Sequence, residues 1–195
     1  LARSKGPSEI EGLVRELLIA LGEDPERDGL KETPRRMARL YQELTQGYRL
    51  DPWQIIGGAI FPVDYDSMVI MKDIEFYSLC EHHLVPYFGH VHVGYIPKGK
   101  VIGASKIPRI VDFFARRLQL QERMTEEIAR FLEETIQPLG LGVVVEGFHL
   151  CMAMRGVAKQ DAWIVTSAMK GSFKRDARTR SEFLQFIAQS PGFRS

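Results

Sequence analysis

Within "LCEHHLVPYFG", residues 79–89, a cysteine and two adjacent histidines fall inside four positions of a chain that holds two cysteines and five histidines. Cys80 and His83 stand three residues apart, so one turn or strand end can aim both at a common ion. Thiolate sulfur and neutral imidazole nitrogen are good ligands for Zn²⁺. Two ligands do not make a site. The other cysteine, Cys151 in "GFHLCMAMRG", is the candidate third. A Cys2His set leaves one tetrahedral position for water, the arrangement of catalytic rather than structural zinc. On a strand His149, Cys151, Ala153 and Arg155 share a face, which sets His149 and Arg155 beside the metal. The same residues also describe two core cysteines and a satisfied histidine, because Cys-x-x-His is common by chance. Spacing alone leaves both readings open.

The elements that must position these residues change character along the chain. "PSEIEGLVRELLIALGED" has the period of an amphipathic helix, with Ser8 and Glu11 as a capping box and Ile10, Leu13, Leu17 and Leu18 as its apolar stripe. "TPRRMARLYQELTQGY" predicts a second helix, with Thr33 as cap, Pro34 at the first helical position and Met37, Leu40, Tyr41 and Leu44 inward. Arg36 and Arg39 can face a common feature; a solvated face explains them equally well. Pro52 and Gly57–Gly58 then mark a junction. This reading divides the chain into an N-terminal helical extension, 1–58, and a main domain, 59–195.

In the main domain "SMVIMKDIEFYSLCEHH" and "FGHVHVGYIP" carry strand patterning, and the second puts His90 and His92 on one face with Val91, Val93 and Tyr95 on the other. "SKIPRIVDFFARRLQLQERMTEEIARFLEETIQPLG" predicts two helices broken around Leu118–Gln121. "LGVVVEGFHLCMAMRG" and "DAWIVTSAM" return to strand, and "TRSEFLQFIAQ" makes a terminal helix. The order α-α-β-β-α-α-β-β-α is that of an α+β protein built on an antiparallel sheet.

Composition narrows the classes of function. The 26 basic and 25 acidic residues give a net charge of +1, which argues against a general nucleic-acid binder but allows a local basic pocket for a phosphorylated small molecule. No apolar run approaches the roughly 20 residues that span a bilayer, and "LARSKGPSEI" lacks a signal-peptide core. With no secretion features, the expectation is cytoplasmic thiols rather than a disulfide. The chain opens on Leu1 without an initiator methionine, which points to truncation or processing.

Several segments together resemble the GTP cyclohydrolase I family: "GLKETPRRMARLY", "LCEHHLVPYFG", "HVGYIPKGKVIGASKIPRIV", "RLQLQERMTEEIA" and "GFHLCMAMRG", in that order and over about residues 8–190. The resemblance implies a tunnelling fold, an antiparallel sheet with helices on one side. It also implies a homodecamer of two pentamers with active sites between subunits, GTP as substrate, and no nucleic-acid or membrane partner. The implied ligands of Zn²⁺ are Cys80, His83 and Cys151, which leaves His82 for proton transfer. His82 would protonate guanine N7 so that hydroxide supplied by zinc can attack C8. His149 would contact the ribose and assist later proton transfers, with Ser105 near the ribose and phosphates.

Glu122, otherwise an ordinary exposed helical acid, would accept hydrogen bonds from guanine N1–H and the 2-amino group, with Gln121 helping to position the base. Lys106, Arg109 and Arg155, with Arg36 and Arg39, match a family cluster around the triphosphate. Ala104, the bulky "DAWIVTS" and Pro86-Tyr87-Phe88 depart from the best-known bacterial pattern without removing a ligand or acid. A zinc deaminase would show H-x-E with P-C-x-x-C, and neither is present.

Overall fold

The computed structural model describes residues 6–188, the side chain of Pro7 excepted. The described residues form two compact units divided between Gln46 and Gly47, ahead of the Gly57–Gly58 pair. In the first unit α1 (Pro7–Ala20) packs on α2 (Thr33–Leu44). Both helices carry proline in the first turn and neither has a side-chain cap. Gly6 and Glu32 are the N-cap residues, so Ser8 and Thr33 are already helical, contrary to the expected caps. Proline presets φ and needs no partner for an N–H, which lets a helix begin without a capping side chain. The stripe of α1 also differs from expectation: Val14 is buried, while Leu13 and Leu17 are more than half exposed. A single helix partner covers only one i, i+4 line, here Ile10–Val14–Leu18.

The second unit opens with α3 (Pro52–Ile56), started by the Asp51 side chain accepting from the Trp53 amide. A two-stranded ribbon pairs β1 (Ile60–Pro62) with β4 (Lys100–Ile102). The main sheet is formed by β2 (Val69–Cys80), β3 (Pro86–Ile96), β5 (Leu118–Gln119), β6 (Gly140–His149) and β7 (Trp163–Lys170). Its order is β5-β2-β3-β6-β7, antiparallel throughout except for the short parallel β2–β5 pair. The α+β class expected from sequence is thus the one observed. Strand β5 occupies the break between the two central helices, α4 (Lys106–Ala115) and α5 (Gln121–Ile136).

One sheet face is the core. Phe76, Val91, Val93, Val143 and Val145 meet Ile110, Phe114, Met124, Ile128 and Leu132 from α4 and α5. The β3 alternation follows the expected pattern, with Val91, Val93 and Tyr95 in this core. His92 instead accepts a hydrogen bond at Nδ1 from the Asp73 amide (3.2 Å). Asp73 has φ 58° and sits in a register shift between Met71 and Ile74, a bulge the alternation did not reveal.

At one end of the sheet, α7 (Gly171–Arg175) and α8 (Ala177–Ala188) contribute Phe173 and Phe183 to a second cluster with Val144. Gly94 and Gly142 make room for these rings. A Cβ at Gly94 would lie 2.6 Å from the Phe183 ring, and one at Gly142 would lie 2.8 Å from Phe173. The terminal helix expected over 179–189 is α8, Gln189 lying outside the described residues. Among the described residues no helix is long and apolar enough to cross a membrane.

Candidate metal centre

The turn between β2 and β3 makes the first half of the site. The amides of His83 and Leu84 both donate to the Cys80 carbonyl (3.2 and 2.8 Å), and the Cys80 amide donates to that of Val85 (3.0 Å). Leu84, at φ 55°, lets the chain reverse this tightly. The turn folds the His83 ring back on Cys80, with Nδ1 3.6 Å from Sγ. Tetrahedral zinc, with bonds of about 2.3 Å to sulfur and about 2.05 Å to nitrogen, sets those two atoms about 3.6 Å apart.

Cys151 completes the group. It does not continue the strand: β6 ends at His149, and Cys151 sits in the single turn of α6 (Leu150–Ala153). The expected shared strand face of His149, Cys151, Ala153 and Arg155 therefore does not exist. The i, i+2 pattern persists in the sequence, but a turn of helix follows at once. The ligand atoms of Cys80, His83 and Cys151 nevertheless lie within 4.8 Å of one another, and both cysteines are free thiols. Burial, reinforced by the facing Cys80 sulfur, pushes the Cys151 thiol up, with Arg155 acting in the opposite direction. Two thiols and an imidazole converging at this spacing suit a divalent ion of borderline softness.

His82 is not among these three residues. It is exposed, its ring edge-on to His83 at 6.2 Å and 88°. His149 is buried at the end of β6, opposite Tyr87 in the β3–β6 register. The two rings stack at 4.3 Å and 9°. Burial holds His149 below the ordinary imidazole range, opposed by the Glu122 carboxylate. Glu122 is exposed in the first turn of α5.

Gln121 is not beside it in the open. Its amide is buried and bonded to His149 Nε2 (2.8 Å), the Val145 and Ile164 carbonyls and Thr166 Oγ1. Arg155 is exposed just beyond α6. Ser105 and Arg109 are exposed at the start of α4, where Lys106 Nζ donates to the Ile55 carbonyl (2.8 Å). Arg36 and Arg39 are exposed on α2 of the first unit. The structure thus gathers Cys80, His83, Cys151, His149, Gln121 and Glu122, and sets the α4 residues on a separate helix start.

Sequence reasoning missed the supports. Arg123 pairs with Glu81 of the metal turn and donates from Nε to Gln119 Oε1 (2.9 Å), and the Glu81 amide donates to the Gln119 carbonyl (3.2 Å). Buried Gln119 also donates to Glu127 (2.8 Å) and the Phe114 carbonyl (3.1 Å). Tyr87 was also missed, although the alternation that turns Val91 inward turns Tyr87 inward as well.

On an α+β scaffold, two thiols and an imidazole, with a buried histidine two residues before Cys151, define a candidate metal-dependent enzyme. Comparison with known proteins supplies the family. Residues 10–188 match the family model described as GTP cyclohydrolase I. The chain is 56% identical over 178 residues to GTP cyclohydrolase 1 of Leptospira biflexa, covering 91% of this chain and 97% of that one. It is 50% identical over 181 residues to the Deinococcus radiodurans protein of the same name, covering 93% and 84%. The Chlorobaculum tepidum protein of that name is 54% identical over 174 residues, covering 89% and 78%. The chain belongs to the GTP cyclohydrolase I family and is an enzyme of that kind.

Proposed function

We propose that this enzyme uses Zn²⁺ to convert GTP and water into 7,8-dihydroneopterin triphosphate and formate, the first step of pterin and tetrahydrofolate synthesis, in the cytoplasm. The observation that carries the reading is the convergence of Cys80, His83 and Cys151 in a chain of this family. Cys80, His83 and Cys151 would hold the ion, whose chemistry when bound is to lower the pKa of water to about 7 and act as a Lewis acid.

The remaining roles fall to the chain's own groups. His82, exposed beside the metal turn, gives a proton to guanine N7 and makes C8 electrophilic enough for water to add. Loss of C8 as formate, rearrangement of the ribose and closure of the pterin ring then need proton transfers near the sugar. His149 and Ser105 serve these. The Glu122 carboxylate accepts from N1–H and the 2-amino group of guanine, a pairing adenine cannot offer.

Arg155, Lys106 and Arg109, with Arg36 and Arg39, hold the triphosphate by charge-assisted hydrogen bonds. Lys106 must share or release its bond to the Ile55 carbonyl to do so. The assembly is a decamer of two pentamers with sites at subunit interfaces, which also protects the sheet edges. Incubation of the purified, zinc-loaded protein with GTP, followed by mass identification of products, tests the reading. Formate and a pterin triphosphate in equal amounts are expected. Unchanged GTP overturns it.

A further inference from the structure

We infer that Gln121 is a positioning residue for His149: it fixes the neutral imidazole as the Nε2–H tautomer and leaves Nδ1 as its only basic nitrogen. Gln121 Nε2 lies 3.1 Å from the Val145 carbonyl oxygen and 2.9 Å from that of Ile164. Carbonyl oxygens only accept, so the NH2 group must face them, and a reversed amide would set three oxygens against one another. The amide orientation is therefore fixed by β6 and β7. Its Oε1 then faces His149 Nε2 at 2.8 Å. An oxygen there demands a proton on Nε2, which in the neutral ring puts the lone pair on Nδ1.

Two further observations support the same assignment. Thr125 Oγ1 lies 2.7 Å from the Gln121 backbone carbonyl and 2.7 Å from Thr166 Oγ1. Its single proton goes to the carbonyl, so Thr166 donates to Thr125. Thr166 Oγ1 keeps a lone pair, so Gln121 Nε2, 3.2 Å away, can share with it one of the two protons it directs at the carbonyls. Every donor in the chain then has an acceptor. The strand also leaves room for the contact. A Cβ at Gly147 would lie 2.2 Å from Gln121 Oε1 and 3.4 Å from His149 Nε2, so glycine is what allows the amide to lie across β6. The stack on Tyr87 fixes the plane of the ring, and Gln121 fixes its protons.

The catalytic consequence rests on the GTP reading above: with Nε2 occupied, only Nδ1 can exchange a proton with a sugar intermediate. Gln121 would then act on the reaction without touching the purine.

The test is solid-state ¹⁵N NMR of the intact, zinc-loaded assembly labelled at histidine, recorded without GTP, with His149→Asn used to assign the signal. The wild type should show protonated Nε2, unprotonated Nδ1 and a slowly exchanging Nε2–H. Gln121→Met should lose the slow exchange and lower kcat about 10-fold or more, with KM for GTP changed less than threefold. Gly147→Ala, which keeps the amide but displaces it, should reproduce both effects and guards against a Gln121 variant that fails to fold. A wild-type ring protonated at Nδ1 overturns the inference, as do variants with unchanged exchange and kcat. Because the spectrum is taken without substrate, a wild type that ignores GTP sinks the proposed reaction and leaves the tautomer assignment standing.

Discussion

His82 and His83 are adjacent in sequence yet should fail in different ways when replaced by alanine. Both side chains are exposed, but His83 Nδ1 lies 3.6 Å from Cys80 Sγ, at tetrahedral ligand spacing, whereas the His82 ring is outside the converging group and edge-on to His83. Free zinc at 100 times its Kd stabilises the folded protein by about 2.7 kcal/mol. Loss of one direct ligand should exceed the 10–100-fold typical of removing a supporting group, so about 100-fold is a conservative figure. At the same free zinc, about 0.4 kcal/mol of stabilisation then remains. The loss of about 2.3 kcal/mol corresponds to a Tm about 5–9 °C lower, at 2–4 °C per kcal/mol for a chain of this size.

His82→Ala removes an exposed side chain and should stay within about 0.5 kcal/mol of wild type. It should instead slow ring opening by about 10²–10⁴, or about 2.7–5.4 kcal/mol of barrier. Melting curves at buffered free zinc, paired with single-turnover formate release, separate the two. Equal loss of zinc-dependent stability in both variants would refute the division of labour. So would a His83→Ala protein that keeps metal and activity.

Other expectations follow from the same geometry. Glu122→Gln should erode the preference for GTP over ATP, measured by competition binding to metal-loaded protein of matched assembly state; an unchanged preference removes Glu122 from base recognition. Arg109→Ala should weaken GTP much more than guanosine in that assay, and equal losses would remove it from the triphosphate site. Phe173→Ala, in the cluster seated on Gly94 and Gly142, should cost about 3–5 kcal/mol in urea unfolding while leaving zinc affinity unchanged. A cost below about 1 kcal/mol would mean that the C-terminal helices are not held through that ring.

The convergence of Cys80, His83 and Cys151 was legible in the sequence because cysteine is so scarce in this chain: with two of them in separate histidine-bearing motifs, few pairings remained. The long strands and helices were legible from their periods. What was hidden depends on register and on local termination. Tyr87 meets His149 only because β3 and β6 pair them, a long-range fact. The turn at α6 hid because Cys151 and Ala153 keep the spacing of the strand that stops before them. Gln121 was expected to flank Glu122 and help position the base. It is buried because α5 starts against β6, at a glycine. The missing caps of α1 and α2 show the reverse error, a favourable side-chain pattern made unnecessary by proline.

Three consecutive residues at the start of α5 serve three parts of the site. Gln121 holds His149, Glu122 presents the exposed carboxylate, and Arg123 grips the metal turn through Glu81. Successive side chains leave a helix about 100° apart, so one turn can reach in three directions at once. Mechanically, this makes α5 a common chassis. A rigid displacement of the helix carries the histidine, the carboxylate and the metal turn together, so errors in their positions are correlated and their mutual spacing is preserved. Unwinding of the first turn has the opposite effect, because the three groups then drift independently. The stiffness that matters for alignment is therefore that of a single helical turn, and disturbing it would misalign the site more than tilting the whole helix.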